Sequence, residues 1–297
     1  MSETVCTQAL ALLAKRVFTL EEIQKQLEAG KLPCSLVEAD DQGGSRKLQG
    51  KLPHGGPDII IETVESPWPA KIEPEQDLGP FSYSGALERA CKFNVNWAQA
   101  TEEAAQHQAI VLVRMLQETN EPSSAADVLA RLMALAKVSL SIGSLPDVAG
   151  YFCPGGEIFL PIEVLDEILQ ASKVAGFPPL DLFANLRLSW LDDRWIIFET
   201  IGNAQLGLPD FEVYADSKQH DLNEVAAWLR RWSWQHFQKE NALKDRNVTV
   251  GPKEARFDVV YADDALLAPK RAVVRLIAQD EAKMPDGLPA RLRIDRT

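Results

Sequence analysis

The sequence predicts an α+β fold: a mixed, largely antiparallel sheet or sheets with several packed amphipathic helices. Three observations carry that expectation. Apolar runs of strand length, such as PDIIIETVES at 57–66 and AIVLVRML at 109–116, recur along the chain with many β-branched residues. Between them lie segments whose apolar residues return every three or four positions, as on one face of a helix. The two kinds alternate irregularly and include a hairpin, which argues against a doubly wound parallel sheet. At 297 residues the chain is long enough for one large domain or two modest ones. With 46% hydrophobic and 25% charged residues it has an ordinary folded mixture, so collagen-like, coiled-coil and disordered classes are excluded.

ALALLA at 9–14 reads as a short buried strand. TLEEIQKQLEAG at 19–30 reads as a helix with Leu20, Ile23 and Leu27 on one face, opened by a capping box of Thr19 and Glu22 and stopped at Gly30. CSLVEAD at 34–40 is a strand running into turn residues DDQGGS at 40–45, and PDIIIETVES is a strand closed by Pro67 and Pro69. A Pro- and acid-rich stretch, SPWPAKIEPEQDLGP at 66–80, then leads to one long helix expected from Ser84 to Gln106, which hands over to the AIVLVRML strand. A second capped helix is expected over 123–143, with Val128, Leu129, Leu132, Leu135 and Ala136 on one face. VAGYFCPGG at 148–156 gives a strand and a turn, and FLPIEVLDEILQASK at 159–173 an amphipathic helix with Pro161 near its start.

LFANLRLSWLDDRWIIFETIG at 182–202 is a hairpin turning at Asp192-Asp193, a register that sets Trp190 opposite Trp195. DFEVYAD at 210–216 is the next strand. DLNEVAAWLRRWSWQHFQKE at 221–240 is a helix capped by Asp221, with Leu222, Val225, Leu229, Trp232 and His236 as its buried stripe. RFDVVYAD at 256–263 and RAVVRLIAQDE at 271–281 close the fold. On this reading residues 1–66 are an N-terminal α+β portion, 67–80 a Pro-rich connector, 81–283 the main domain and 284–297 a loosely held tail; one continuous domain is the alternative.

The net charge of −12, with Lys and Arg scattered, would repel phosphate backbones, so no nucleic acid partner is expected. The same charge suits a basic protein partner drawn in by long-range attraction. No apolar run approaches the roughly 20 residues of a membrane span, so no membrane partner is expected either. The N-terminus lacks the pattern of a secretory signal. Cys6, Cys34, Cys91 and Cys153 form no C-x-x-C pair and read as reduced thiols of a cytoplasmic protein. The chain holds no G-x-x-x-x-G-K-[ST], H-E-x-x-H or G-x-S-x-G pattern, and no G-x-G-x-x-G follows a strand. His54, His107, His220 and His236 are not spaced as metal pairs. Catalytic residues, metal and cofactor are therefore all assigned as none.

His107 sits where a helix hands over to a strand, a place from which it can bond the last helical carbonyls; catalysis is the lesser reading. His236 reads as a hydrogen-bonded core residue, His54 as part of a turn, and His220 as a neighbour of the Asp221 cap. Cys153, before a Pro-Gly-Gly turn, reads as a half-buried thiol. The stretch ETIGNAQLGLPDFEVYADSK at 199–218 holds the candidate site residues. Thr200, Gly202, Gly207 and Pro209 fit a compact connection. Asp210, Glu212 and Asp216 alternate with Phe211, Val213 and Ala215, so the carboxylates share one side of a strand. A solvated sheet face is the favoured reading, with paired carboxylates for acid and base chemistry as the alternative.

Trp97 followed by His107 and the AIVLV strand, the capped helix at 123–143, the hairpin ending FETIG and above all TIGNAQLGLPDFE at 200–212 give an order of features that resembles the bacterial domain-of-unknown-function family 4261 over roughly residues 80–277. The family pattern, Thr-x-Gly, a short gap, then Gly-x-Pro-Glu and a further Glu, is met here with Asp210 in place of the first Glu. The resemblance implies no established reaction; its context is that of bacterial accessory and immunity-type proteins. The expected function is a non-enzymatic, cytoplasmic protein-interaction module, immunity-like and binding a basic effector. The alternative is an enzyme or small-ligand binder using Thr200 to Glu212 with His107. Trp234, about 160° round the helix from Trp232, is the candidate partner contact.

Overall fold

The computed structural model describes residues 4–30, 36–40, 46–51, 58–69, 83–94, 96–118, 124–176, 178–238, 247–249 and 256–278. The chain forms two compact units, Met1–Ala184 and Asn185–Thr297, so the division falls inside the stretch expected to be one main domain. Each unit has its own sheet, and together they make the α+β fold with two mostly antiparallel sheets.

The first unit holds β1 (Thr4–Ala14), β2 (Leu36–Asp40), β3 (Arg46–Lys51), β4 (Asp58–Val64), β5 (Ala109–Glu118), β6 (Val148–Cys153) and β7 (Ile158–Leu160) in the order β2-β3-β4-β5-β1-β6-β7, every pair antiparallel. β1 lies between β5 and β6, and Ala9 through Ala14 are wholly sealed, which is why ALALLA shows no polar alternation. Ala9, Ala11 and Leu13 pack with Ile110, Leu112 and Phe152 beneath α2 (Ala86–Lys92) and α3 (Ala100–Gln106). α4 (Ala125–Gly143) lies against β1, β5 and β6, with α1 (Leu20–Ala29) and α5 (Ile162–Ala175) beside it. Both expected caps form: Thr19 Oγ1 accepts from the Glu22 N–H at 3.2 Å, and Ser124 pairs reciprocally with Asp127.

The single helix expected over 84–106 is instead two. Asn94 breaks it: its Oδ1 accepts from the N–H groups of Asn96 (3.3 Å) and Trp97 (3.0 Å), while its Nδ2 donates to the Phe159 carbonyl at 2.7 Å. A side chain that bonds nearby backbone offers those groups an alternative to the helical ladder. β3 was not expected, its sequence RKLQGK being short of apolar residues. His54, Cys34, most of the 40–45 turn, connector residues 70–80 and the 284–297 tail lie outside the described residues.

The second unit holds β8 (Asn185–Trp190), β9 (Trp195–Ile201), β10 (Asp210–Asp216), β11 (Asn247–Thr249), β12 (Arg256–Ala262) and β13 (Val273–Ala278) in the order β11-β12-β13-β10-β9-β8. Its pairs are antiparallel except β10 with β13. α6 (Leu222–Gln238) covers one face, where Val225, Trp228, Leu229 and Trp232 meet Ile196, Phe198, Phe211, Val213, Ala215, Val274 and Leu276. Asp221 caps it, accepting from the Asn223 N–H at 2.8 Å. The hairpin register differs from expectation by one residue. Trp190 pairs with Ile196, and Leu191 N–H donates to the Trp195 carbonyl at 2.8 Å. The Asp192 carboxylate, accepting from the N–H groups of Arg194 and Trp195 at 2.7 Å each, holds a longer turn, and that shift leaves Trp195 buried while Trp190 is 56% exposed.

Candidate functional site

Asp210, Glu212, Tyr214 and Asp216 point away from α6, as their alternation requires, but the face they occupy is not wet. All four are buried, and so are Glu199 on β9, Arg187 on β8 and Arg275 on β13. The expected solvated sheet face is thus corrected to a buried charged one. The segment joining β12 to β13 supplies Leu266 and Leu267, which pack with Ile197 and Tyr214 there, and Arg271, which completes the ion pairs.

Arg271 is the centre of the arrangement. Its Nε donates to Asp210 at 2.9 Å, and its Nη2 donates to Glu199 at 2.7 Å and to the Thr200 carbonyl at 2.9 Å. Arg187 Nη2 donates to the other oxygen of Glu199 at 2.6 Å and to the Ala268 carbonyl at 2.9 Å. Arg275 Nε donates to Glu212 at 2.8 Å and its Nη2 to the Asp264 carbonyl, while the second Glu212 oxygen accepts from the Leu266 N–H at 2.7 Å. Three carboxylates and three guanidinium groups therefore balance within one sealed layer. Burial pushes the Asp210 carboxyl above its ordinary value, with Arg271 and the N–H groups of Asn203 and Gly202 pulling the other way. Burial likewise raises Glu212, against Arg275. For Arg271, burial opposes the charge, but Asp210 and Glu199 outweigh it and raise the pKa.

The 199–210 connection is shaped by the same carboxylate. Asp210 Oδ1 accepts from the Asn203 N–H at 3.0 Å and from Thr200 Oγ1 at 3.3 Å. Thr200 Oγ1 in turn accepts from the Phe211 N–H at 2.8 Å and from Asn203 Nδ2 at 3.0 Å. Gly202 and Gly207 bracket a single 3-10 turn, Asn203–Leu206, at φ +105° and +71°, where a side chain would be strained. The Pro209 carbonyl accepts from Asn203 Nδ2 at 3.1 Å. A chain of bonds thus holds Thr200, Gly202, Pro209 and Asp210 in one turn, Gly207 closes its C-terminal end, and Glu212 belongs to the adjoining ion pair.

The structure does not bring His107 to these residues. In the first unit, its Nε2 accepts from the Trp68 N–H at 2.8 Å, so its Nδ1 carries the proton given to the Ala104 carbonyl. Both ring nitrogens are spent in the neutral tautomer, and burial lowers the pKa. The expected bond to a last helical carbonyl is present. His236 is buried, with Nδ1 2.8 Å from the Trp232 carbonyl. Cys153 is wholly rather than half buried, and its thiol points to the Phe183 carbonyl at 3.8 Å. Trp234 is half-buried and stacks on Phe237 at 5.5 Å between ring centres. Among the described residues no cluster of His, Cys, Asp or Glu is built to hold a metal, and no helix is long and apolar enough to cross a membrane.

Glu199, Arg187, Arg271, Arg275 and Asn203 were missed by reading the sequence. A signal was there: Arg271 and Arg275 stand four apart in RAVVRL, a run apolar enough to be buried, where an arginine must meet a carboxylate.

Residues 199–277 match the family model described as Domain of unknown function (DUF4261). The matched DUF4261 segment lies within the second unit and runs from Glu199 almost to the end of β13. It holds five of the six paired charges, Arg187 lying outside it. No curated protein and no solved structure matches the chain.

Proposed function

We propose that the protein is a non-enzymatic, cytoplasmic interaction module that binds a basic protein, in the manner of an immunity-type protein that masks a basic effector. One observation carries this reading. The groups with the best claim to chemistry, Thr200, Asp210, Glu212 and His107, are buried and have their polar atoms engaged within the fold. A general acid or base must reach its substrate's proton, and these do not face solvent. The net charge of −12 is the long-range attraction such a partner would feel.

Affinity-tagged protein recovered from its native cell at about 0.1 M salt is expected to bring down a basic protein, and a wash at about 1 M, which shortens the screening length to roughly 3 Å, should release it. Co-recovered proteins that are acidic, or that hold through the wash, would sink the reading.

A further inference from the structure

The first unit contains a cleft of about 800 Å³ whose wall includes Trp97 and whose lining includes Glu103, Asp147, Glu163 and Asp166. A volume of that size is typical of a ligand pocket. Apolar side chains such as Leu140, Leu145, Val148 and Ile162 line part of the remainder, together with the polar Gln99 and Ser144.

Trp97 is held ready. Its backbone N–H is fixed by the Asn94 side chain, and its ring rests on Phe159 with 4.7 Å between centres. The carboxylates divide into two pairs. Glu103 is taken by Lys15 at 3.0 Å and Asp147 by Arg16 at 3.2 Å, so this rim already receives an ammonium and a guanidinium from the chain itself. Glu163 and Asp166 stand three residues apart on the first turns of α5, both exposed. Side chains at that spacing are neighbours on a helix. Neither makes an ion pair with a described residue, and Asp166 accepts from Gln170 at 3.3 Å.

We propose, resting on the reading above, that this cleft is where the basic partner inserts an arginine. Charge complementarity selects a cation, and the aromatic wall selects which one. A planar guanidinium stacks on an indole and bonds two acceptors at once, while its aliphatic stem lies along apolar surface; the compact, strongly hydrated ammonium of lysine does this less well.

The probe is a fluorescein-labelled hexa-arginine peptide, with hexa-lysine as its match, titrated into the full chain by fluorescence polarisation. The double variant Glu163→Gln, Asp166→Asn changes exposed residues and should bind hexa-arginine about tenfold more weakly. A control with the same charge change on the second unit, Asp193→Asn, Asp263→Asn, should bind as wild type does. Trp97→Leu should weaken hexa-arginine by about threefold and leave hexa-lysine unmoved. Equal weakening by cleft and control variants would reduce the effect to overall charge, and unchanged binding by the cleft variant would overturn the proposal outright. Either failure would leave the co-purification test of a basic partner standing, because that test reads the partner and not its seat.

Discussion

The two faces of β10, the strand buried at every position, are equally dry by opposite means. On the α6 side, Phe211, Val213 and Ala215 are buried by apolar contact, with Phe211 edge-on to Trp232 at 4.6 Å. On the other side, Asp210 and Glu212 are buried by ion pairs, and Tyr214 by packing with Leu266 and Leu267, under the β12–β13 connection. The comparison teaches that strict alternation along a strand reports two faces and does not say which is wet. Apolar packing tolerates a missing partner by leaving a void, whereas a buried ion pair that loses one member leaves a charge with no solvent to screen it.

The largest expected effect breaks the charged face at its centre. Arg271→Met should cost about 3–5 kcal/mol in urea unfolding at neutral pH, because it strands Asp210 and removes one of the two guanidinium partners of Glu199. Its pH dependence has a definite sign. Burial already raises the Asp210 carboxyl, and loss of Arg271 removes the main opposing pull. A folded pKa above the unfolded value contributes stability below the unfolded pKa, near 4, and loses it as pH rises through the folded one. The deficit should therefore shrink as pH falls from 7 toward 4; a deficit independent of pH would contradict the ionised network.

On the apolar face Trp232→Ala should cost a comparable 3–5 kcal/mol or so, but with no pH dependence of its own, which sharpens the contrast. Trp234→Ala, losing a half-buried ring stacked on Phe237, should cost only about 1 kcal/mol. Gly207→Ala tests the turn that aims β10. A methyl group there meets nothing within 4 Å, so the expected loss of about 1–2 kcal/mol is purely the penalty of a left-handed backbone. The smallest effect is at the rim of the charged face. Hydrogen bonds from Arg194 hold the Asp216 carboxyl below its ordinary value, so its contribution is present above the unfolded pKa and lost as pH falls through the folded one. Arg194→Gln should lower the melting temperature slightly at pH 7, and that deficit should close as pH falls below about 4, flattening the acid limb of the profile.

Those effects also mark what was legible in advance. Helix α1, helix α4 and the α6 stripe could be read because caps and 3.6-residue spacing are local. The break at Asn94 could not, since it depends on the Phe159 carbonyl, which is 65 residues away. The same holds for the charged face. Asp210 and Glu212 look solvated beside their neighbours, and become core residues through arginines 61 and 63 positions later. The shaped turn at Gly202 and Gly207 was legible because left-handed positions favour glycine wherever they occur.

The way the arginines hold the β12–β13 connection bears on how this protein can change over generations. Arg275, Arg271 and Arg187 grip carbonyl oxygens of Asp264, Leu267, Pro269 and Ala268, groups that every amino acid carries. Apart from Arg271 itself and the packed Ala265, Leu266 and Leu267, spelling there is free to drift, because the clasp grips backbone carbonyls and does not read the side chains that flank them. Length is not free: one inserted or deleted residue would slide every carbonyl out of reach of its guanidinium. Variation in this segment should therefore accumulate as substitutions, with insertions and deletions excluded.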